Sequence, residues 1–373
     1  MAYHPEQDRY VMYGAGFSLY SGKLRSYLLK KAIPFIERTP SIITYKRFIV
    51  PRTGVRFIPV LQTPDDEVLQ DTTAIIDELE LRYPARSIYP AKPRQHLAAL
   101  LLELYGDEWL LIPAMHYRWN FPEDNQPFIN EQFGAMAFPW LPRALQRVLG
   151  KKLGARFQGL VPRLGISEHT IPAIEASWQA LLADLERHFS AHDFLLGARP
   201  SIGDFGMIGP MYAHLYRDPY PGRLLRENAP AVAAWVERMQ SEQAASGEFL
   251  PADDIPETLW PVLQRMVREQ MPVLQDTERA FAEWAKDKAP GTEVPRTLGE
   301  HDFQLDAAQG QRMVLPHSLW RWQRPRDYLR ALSASQRSQA MSVAERLGLQ
   351  TELMEELTVR IQRRLNRFVL GSR

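Results

Sequence analysis

The pattern of apolar residues changes near residue 93, and this change limits the possible folds more than any other feature of the sequence. Before it, short apolar runs typical of strands alternate with two helical patterns, in the order β-α-β, a gap, then β-β-α. After it, apolar residues recur every three to four positions, which is the spacing of amphipathic helices. The sequence therefore predicts a small α/β domain followed by an all-α domain with extra C-terminal helices.

Local signals place the individual elements. A proline lies inside the apolar run 57–62, although strand interiors normally exclude proline. The predicted elements of the first part are strands at 10–13, 35–38 and 57–62, a turn at 65–68 leading to a further strand, and helices at 20–32 and about 74–83. Those of the second part are helices at 95–112, 139–150, 170–190, 204–217 and 229–241, a surface loop at 286–300, and helices at 316–331 and 335–371.

The end of the chain is basic and reads as an amphipathic helix. Residues 355–373 carry five arginines among apolar side chains. Such a helix can lie on a membrane surface. We favour a helix that docks its apolar face on the body of the protein, because that arrangement is more common.

The composition excludes several classes of protein. In 373 residues, 45% are hydrophobic and 24% are charged, which argues against extensive disorder. The net charge of +1 gives no overall attraction to nucleic acid, so we expect no nucleic-acid partner. The absence of cysteine excludes disulfides, thiolate metal sites and a cysteine nucleophile. The histidines show no metal-ligand spacing, and we predict no metal.

Targeting signals are not apparent in the sequence. The first ten residues, MAYHPEQDRY, lack the apolar core of a signal peptide, and no run of about 18 apolar residues occurs. We therefore expect a cytoplasmic protein without an integral membrane segment.

Three motifs follow one another in a defined order. The first is YGAGFSLYSGKLRSYLL, from Tyr13 to Leu29. The second is FIPVL, from Phe57 to Leu61, followed by QDTTAI at 70–75. The third is FLLGARPSIGDFGMIGPMYAHLY, from Phe194 to Tyr216. Over roughly residues 8–245, the order and spacing of these motifs resemble those of the cytosolic glutathione transferases.

The resemblance implies a thioredoxin-like, glutathione-binding domain at 8–88 and an α-helical domain at 93–250. Ser201 and Asp204 have the spacing of a capping box, which is a structural role. Residues 251–373 form an addition that ordinary members lack, and we predict that it consists of helices packed on the α-helical domain. The resemblance further implies a detoxification enzyme and admits a homodimer.

The second motif supplies the predicted glutathione-binding residues. The proline inside the strand is similar to the cis-proline of the family, so the backbone of Ile58 beside Pro59 would pair with the main chain of glutathione as an added strand. Asp71 and Thr72 are similar to the pair that holds the γ-glutamyl end, with Thr72 in place of the customary serine. Glutathione would act as a co-substrate.

The first motif supplies the predicted catalytic residues. Ser18 and Ser21 cannot exchange electrons, so a redox role is excluded. A Ser18 hydroxyl at a helix N-terminus can donate a hydrogen bond to a bound thiolate and favour the anion, or it can merely cap the helix. Tyr20 is a further candidate because a phenol is a stronger donor, and Arg25 is a minor candidate for contact with a glutathione carboxylate.

The predicted substrate pocket draws on an aromatic-rich helix. Most aromatic residues at helical spacing belong to a core; of those in this run, we select Tyr105, Trp109 and His116 to face a cleft between the domains. The C-terminal addition would cover this pocket with side chains from the basic segment near Trp320. Its candidate residues are Arg312, His317 and Arg321.

The sequence leaves two functions open. In the favoured one, the thiolate of bound glutathione attacks an electrophilic, aromatic small molecule, and thiolytic ether cleavage is a specialised form of this reaction. In the alternative, the chain is a non-catalytic, transferase-like scaffold that binds a protein or a membrane through residues 251–373.

Overall fold

The computed structural model describes residues 3–372. The strands are β1 (Tyr10–Tyr13), β2 (Phe35–Arg38), β3 (Val60–Gln62), β4 (Val68–Gln70), β5 (Glu300–Leu305), β6 (Ala308–Met313), β7 (Ile361–Arg364) and β8 (Arg367–Leu370). The helices are α1 (Leu19–Lys30), α2 (Ile42–Thr44), α3 (Val50–Thr53), α4 (Thr72–Arg82), α5 (Pro93–Leu104), α6 (Leu111–Trp119), α7 (Pro122–Ala137), α8 (Arg143–Gln158), α9 (Ile171–Phe189), α10 (Ile202–Pro210), α11 (Pro219–Asn228), α12 (Pro230–Gln240), α13 (Trp260–Ala285), α14 (His317–Ala331), α15 (Ala334–Leu347) and α16 (Gln350–Met354). Wider π-helical turns occupy Tyr45–Ile49, Tyr105–Trp109 and Met211–Tyr216.

The elements form two compact units, and each is described by itself. The first unit comprises the residues up to Ser87 together with Ala114–Val161 and Ile208–Ala245. The second comprises Ile88–Pro113, Pro162–Met207 and the residues from Ser246 onward. The domain boundaries expected from the sequence, at 8–88, 93–250 and 251–373, do not follow this division and stay a prediction.

The first unit contains a four-stranded mixed sheet of the thioredoxin-like type. Its strand order is β2-β1-β3-β4, with β1 and β2 parallel and the other two pairs antiparallel. The predicted order β-α-β, a gap, β-β-α is confirmed. The two middle strands, β1 and β3, are buried throughout. Their side chains Val11, Tyr13 and Val60 pack on Phe48 and Ile49 from the gap.

The second unit joins α5 to the C-terminal addition. The carboxylate of Asp253 accepts hydrogen bonds from the backbone N–H groups of Arg94 and Gln95 at 2.8 and 2.9 Å, so it satisfies donors at the first turn of α5. Trp109 donates its indole N–H to Glu269 on α13 at 3.0 Å. Residues of the addition therefore complete the hydrogen bonding of the segment that begins at Ile88.

A fragment truncated after residue 250 should not fold stably on its own. The truncation would remove the Asp253 cap from α5 and expose a helix of which nearly every residue is buried. Each large apolar side chain transferred to water costs about 1.5–3 kcal/mol. We expect a fragment that aggregates or melts without cooperativity, measured by gel filtration and thermal unfolding. A truncation after Val359, which removes only the last hairpin, is the milder control; a soluble 1–250 fragment with full heat stability would contradict the expectation.

The helical prediction for 335–371 is wrong beyond Met354. After α15 and α16 the chain forms an antiparallel hairpin, β7–β8, instead of a helix. Its turn residues, Leu365 and Asn366, have φ values of 48° and 62°, the left-handed conformation that two-residue hairpin turns require. The idea of a membrane-surface helix at this end of the chain is therefore wrong as well.

Several helices of the α-helical part differ from the predicted ones. The helix predicted at 95–112 is divided, because the π-helical turn Tyr105–Trp109 separates α5 from α6. The helices α7 and α11 were not predicted; each starts with a proline at its first turn, a common helix-start signal. In the third motif, the Asp204 carboxylate accepts from the Ser201 backbone N–H at 2.8 Å, so the predicted return bond of the capping box is confirmed.

Candidate functional site

The register of the sheet brings three predicted site segments to one end of it. Tyr13, the last residue of β1, pairs with Val60, the first residue of β3, and Val60 pairs with Gln70, the last residue of β4. The loop to Ser18 leaves from Tyr13, Pro59 immediately precedes Val60, and α4 begins just after Gln70. These three segments, far apart in the sequence, therefore meet at the same edge of the first unit.

Ser18 is the N-cap residue of α1. Its backbone is extended, with φ −93° and ψ 126°, and its hydroxyl oxygen accepts a hydrogen bond from the backbone N–H of Ser21 at 3.4 Å. A serine hydroxyl has one hydrogen and two lone pairs, so accepting this bond leaves the hydrogen able to donate. Ser18 is partly exposed at the positive end of a helix whose first turn contains no acidic residue. The capping role and the donor role are compatible in one residue.

The other two predicted catalytic residues occupy different environments. Ser21 is fully buried, and its hydroxyl oxygen accepts from the backbone N–H of Ala15 at 3.2 Å. It thus holds the loop after β1 against the first turn of α1. Tyr20 is partly exposed in that same turn. Ser18 and Tyr20 are thus both partly exposed, and the catalytic roles of Ser18, Tyr20 and Ser21 stay predictions.

A buried arginine fixes the residue before Ser18. Arg118, 3% exposed, donates to the backbone carbonyl of Phe17 at 3.1 Å and forms a two-pronged ion pair with Asp218, with both N···O distances 2.6 Å. It also lies 2.7 Å from Nε2 of His214. Two charges removed from water in this way are stable only when each is fully paired. The network anchors the loop that carries Ser18.

The same network sets the protonation of its members. Burial lowers the pKa of His214 well below its usual value, and the neighbouring Arg118 lowers it further. The neutral ring can then accept from Arg118 at Nε2 and donate from Nδ1 to the carbonyl of Ala114, 3.2 Å away. Burial raises the pKa of Asp218, while the Arg118 guanidinium acts in the opposite direction and favours the carboxylate.

A second arginine lies directly over the loop. A Cβ built on Gly16 would come within 2.7 Å of Nη1 of Arg217, so a side chain at this position would displace the guanidinium. The guanidinium faces the rings of Phe128 and Tyr212 at 5.7 and 5.8 Å. Burial lowers the pKa of Arg217, and Arg118 is one of the nearby charges that lower it further. Arg217 places positive charge close to the loop before Ser18.

The predicted cis-proline is confirmed, since the Ile58–Pro59 peptide bond is cis. Pro59 is buried, Ile58 is partly exposed, and the preceding Phe57 is 44% exposed. The pairing of Ile58 with glutathione stays a prediction.

Asp71 has an unusual backbone at the start of α4. Its φ of 73° and ψ of 126° lie outside the common regions for a residue with a side chain. Its carboxylate accepts from the N–H groups of Thr73 and Ala74, both at 3.1 Å, and so caps the helix. Strained residues of this kind occur at ligand clamps. Thr72, the first residue of α4, is 2% exposed beside it.

The residues predicted to line a substrate pocket are all buried. Tyr105 and His116 are 1% exposed and Trp109 is 4% exposed. The indole N–H of Trp109 is used by Glu269, and His116 lies 2.9 Å from the side-chain amide of Asn120. These environments are typical of core residues. A core position was the other interpretation of aromatic residues at helical spacing. A role in substrate contact stays a prediction for all three.

The residues predicted to cover the pocket also interact with other side chains of their own unit. Arg321, 2% exposed, pairs with Asp107 at 2.6 Å, and His317 lies 2.9 Å from Glu108. Arg312 is buried against the ring of Trp109 at 5.3 Å.

Arg25 likewise has protein partners. It forms two hydrogen bonds to Glu37, at 2.6 and 2.5 Å. The predicted contact of Arg25 with a glutathione carboxylate therefore competes with an ion pair within the first unit.

Two other kinds of site have no candidate among residues 3–372. In this range, the acidic and histidine side chains form no group of three or more that could hold a metal ion. Within the same residues, no helix has the length and apolar character needed to cross a membrane.

Two family models match this chain. Residues 12–87 match the N-terminal domain of glutathione S-transferase, and residues 168–238 match its C-terminal domain. The chain belongs to the glutathione S-transferase superfamily. That Ser18 makes this a serine-type member of the superfamily stays a prediction. No curated protein sequence matches this chain.

Solved structures of other glutathione transferases are similar to this one. A glutathione S-transferase from Methylobacterium radiotolerans, in complex with glutathione sulfonate, is 20% identical over 65% of this chain and 97% of that one, with a TM-score of 0.39. The beta-etherase of a Sphingobium species is 17% identical over 62% and 95%, with a TM-score of 0.43. A glutathione transferase from Phanerochaete chrysosporium is 14% identical over 65% and 100%, with a TM-score of 0.44.

Proposed function

We propose that this member of the superfamily is a glutathione-dependent transferase in which Ser18 stabilises the thiolate of bound glutathione for attack on an electrophilic, aromatic small molecule. One observation carries the proposal. The register Tyr13–Val60–Gln70 gathers the partly exposed Ser18, the cis-proline segment and the capped start of α4 at one end of the sheet. A ligand of the size of glutathione could contact all three segments there.

The chemistry requires a thiol from outside the protein, because the chain has no cysteine. A free thiol has a pKa of about 8.5, so only a small part of it is ionised at neutral pH. A hydrogen bond from the Ser18 hydroxyl, the positive end of α1 and the nearby charge of Arg217 would each favour the anion. The thiolate is the nucleophilic form, and a larger ionised fraction raises the rate of attack.

The rest of glutathione would be held by backbone and by α4. Its cysteinyl main chain would lie along Ile58, in the manner of an added strand. Its γ-glutamyl end would lie at Asp71 and Thr72, where the N-terminus of α4 favours a carboxylate. The unusual backbone of Asp71 supports this placement, because the strain is maintained at the predicted ligand contact.

Thr72→Val is expected to weaken glutathione binding about tenfold, the loss expected for one hydrogen bond to a charged group. Isothermal calorimetry measures the dissociation constant directly. Thr72→Ser, which keeps the hydroxyl, is the matched control and should bind like the unaltered protein. Equal affinity in Thr72→Val and the unaltered protein would remove Thr72 from the site.

The proposed function is tested by two assays on the same protein sample. The first is steady-state turnover with glutathione and a chloro-nitro-aromatic acceptor, and the second is calorimetric titration with glutathione. Binding together with turnover supports the transferase. Saturable binding without turnover of several aromatic acceptors would favour the non-catalytic scaffold, and absence of binding would contradict the proposal.

A further inference from the structure

The helix α8 carries an unusual concentration of positive charge. Its sequence, RALQRVLGKKLGARFQ, contains five basic residues and no acidic residue. The basic residues are Arg143, Arg147, Lys151, Lys152 and Arg156, and all of them are exposed. The net charge of the whole chain is only +1, so this helix is a local exception.

Only a narrow face of α8 packs against the protein. This face consists of Gln146, Gly150 and Gly154, the buried residues of the helix. Gly150 lies so close to the carbonyl oxygen of Asn130 on α7 that any side chain at this position would clash with it. The two helices are therefore in near-backbone contact along one line, and most of the surface of α8 faces water.

The outward surface of α8 is apolar as well as basic. Leu145 and Val148 are 51% and 58% exposed, and helical spacing places them on the side opposite the packed glycines. Trp140, three residues before α8, is 53% exposed, and Phe157 at the other end is 49% exposed and packs on the ring of Phe133 at 5.2 Å. Large apolar side chains grouped on a surface in this way mark an interaction site.

We infer that α8 and Trp140 form a docking surface for a membrane that contains anionic lipid. A helix that lies in the membrane interface combines aliphatic and aromatic side chains, which enter the boundary of the acyl chains, with lysines and arginines that face the lipid phosphates. Both halves of this requirement are present on the exposed part of one helix. The protein would be held at the surface and not inserted, in agreement with the lack of a membrane-spanning helix in residues 3–372.

Two other occupants fit the surface less well. A second copy of the chain docked through the same face would bring ten basic residues together, since each copy contributes five, and like charges in contact oppose association. Nucleic acid would neutralise the charge, but its phosphates would leave Leu145 and Val148 without an apolar partner. An anionic bilayer satisfies the charge and the apolar side chains together.

The experiment is co-sedimentation of the full chain with vesicles of phosphatidylcholine, with and without phosphatidylserine. We expect binding to the vesicles that contain phosphatidylserine, weakened by added salt because the attraction is electrostatic. Leu145→Gln/Val148→Gln and, separately, Lys151→Gln/Lys152→Gln should each weaken binding at least about tenfold. The folding control is the midpoint temperature of thermal unfolding. It should be the same in these variants as in the unaltered protein, because the substituted side chains are exposed.

A matched control removes the same charge elsewhere. Lys286→Gln/Lys288→Gln changes two exposed lysines of the second unit and should bind vesicles like the unaltered protein. Absence of vesicle binding, or equal loss in the control pair, would overturn the inference. So would tight binding to a DNA duplex that the α8 variants lose, or a dimer in gel filtration that depends on Leu145 and Val148.

Discussion

Ser18→Ala is expected to reduce turnover with glutathione by roughly ten- to a hundredfold, while glutathione affinity falls much less. The lost hydrogen bond would act on the charged thiolate, and a bond to a charged group contributes about 1.5–3 kcal/mol. Most of the contacts that hold glutathione would lie elsewhere, at Ile58 and α4. Steady-state kinetics and calorimetry on the same variant separate the two effects.

The substitution also removes a helix cap, which needs its own control. Ser333 caps α15 through its hydroxyl in the same way, and Ser333→Ala removes that cap from the second unit. It should lower stability by about 1 kcal/mol without changing turnover. Full activity of Ser18→Ala together with inactivity of Tyr20→Phe would identify Tyr20 as the donor to the thiolate.

Arg118→Met is expected to destabilise the protein by about 3–5 kcal/mol, the cost of leaving a buried charge without its partner. Asp218 would remain fully buried, and the carbonyl of Phe17 would lose its donor. The variant should also lose turnover, because the loop before Ser18 would no longer be anchored. Denaturant unfolding, compared at equal slope, measures the loss of stability.

Arg147→Met provides the comparison for Arg118. Arg147 pairs with Glu131 at 2.9 Å, but its side chain is 58% exposed, so its loss should cost less than about 1 kcal/mol. In the double variant Arg118→Met/Asp218→Leu both charges are absent, and part of the lost stability should return. A loss in Arg118→Met no greater than that in Arg147→Met would show that the buried pair does not hold the loop.

The parts of the fold that the sequence predicted well are those encoded locally. The strands of the sheet are short apolar runs bounded by turns, and the return bond from Asp204 to Ser201 spans three residues. The strands and the capping bond depend on neighbours in the sequence, which is why the pattern of residues was sufficient for them. The cis bond at Pro59 was instead predicted from the resemblance of FIPVL to the family's cis-proline segment, and Pro59 lies just before β3, not inside it.

Features made by distant residues could not be predicted in this way. Arg118 and Asp218 are 100 residues apart, and nothing near either one indicates its partner. A buried arginine and a buried aspartate look like ordinary surface residues in a sequence. The cap that Asp253 supplies to Gln95 spans 158 residues and has no local signal either.

The last hairpin was mistaken for a helix for a physical reason. Ile361, Leu365 and Phe368 are spaced by four and three residues, as on one face of a helix. In the structure Leu365 is 86% exposed at the turn, so it belongs to no apolar face. The alternation of apolar and polar residues in each strand covers only four positions. It is therefore a weaker signal than the helical spacing of these three apolar residues.

The most direct test of the proposed site is the pKa of the thiol of glutathione bound to the protein. It is measured by titrating the complex with pH and following the ultraviolet absorbance of the thiolate, in the unaltered protein and in Ser18→Ala. We predict a pKa clearly below that of free glutathione in the unaltered protein and a return toward the free value in Ser18→Ala, because each unit corresponds to about 1.4 kcal/mol of lost stabilisation of the anion. A bound thiol whose pKa equals the free value, or one that Ser18→Ala leaves unchanged, would contradict the assignment of Ser18 as the residue that stabilises the thiolate.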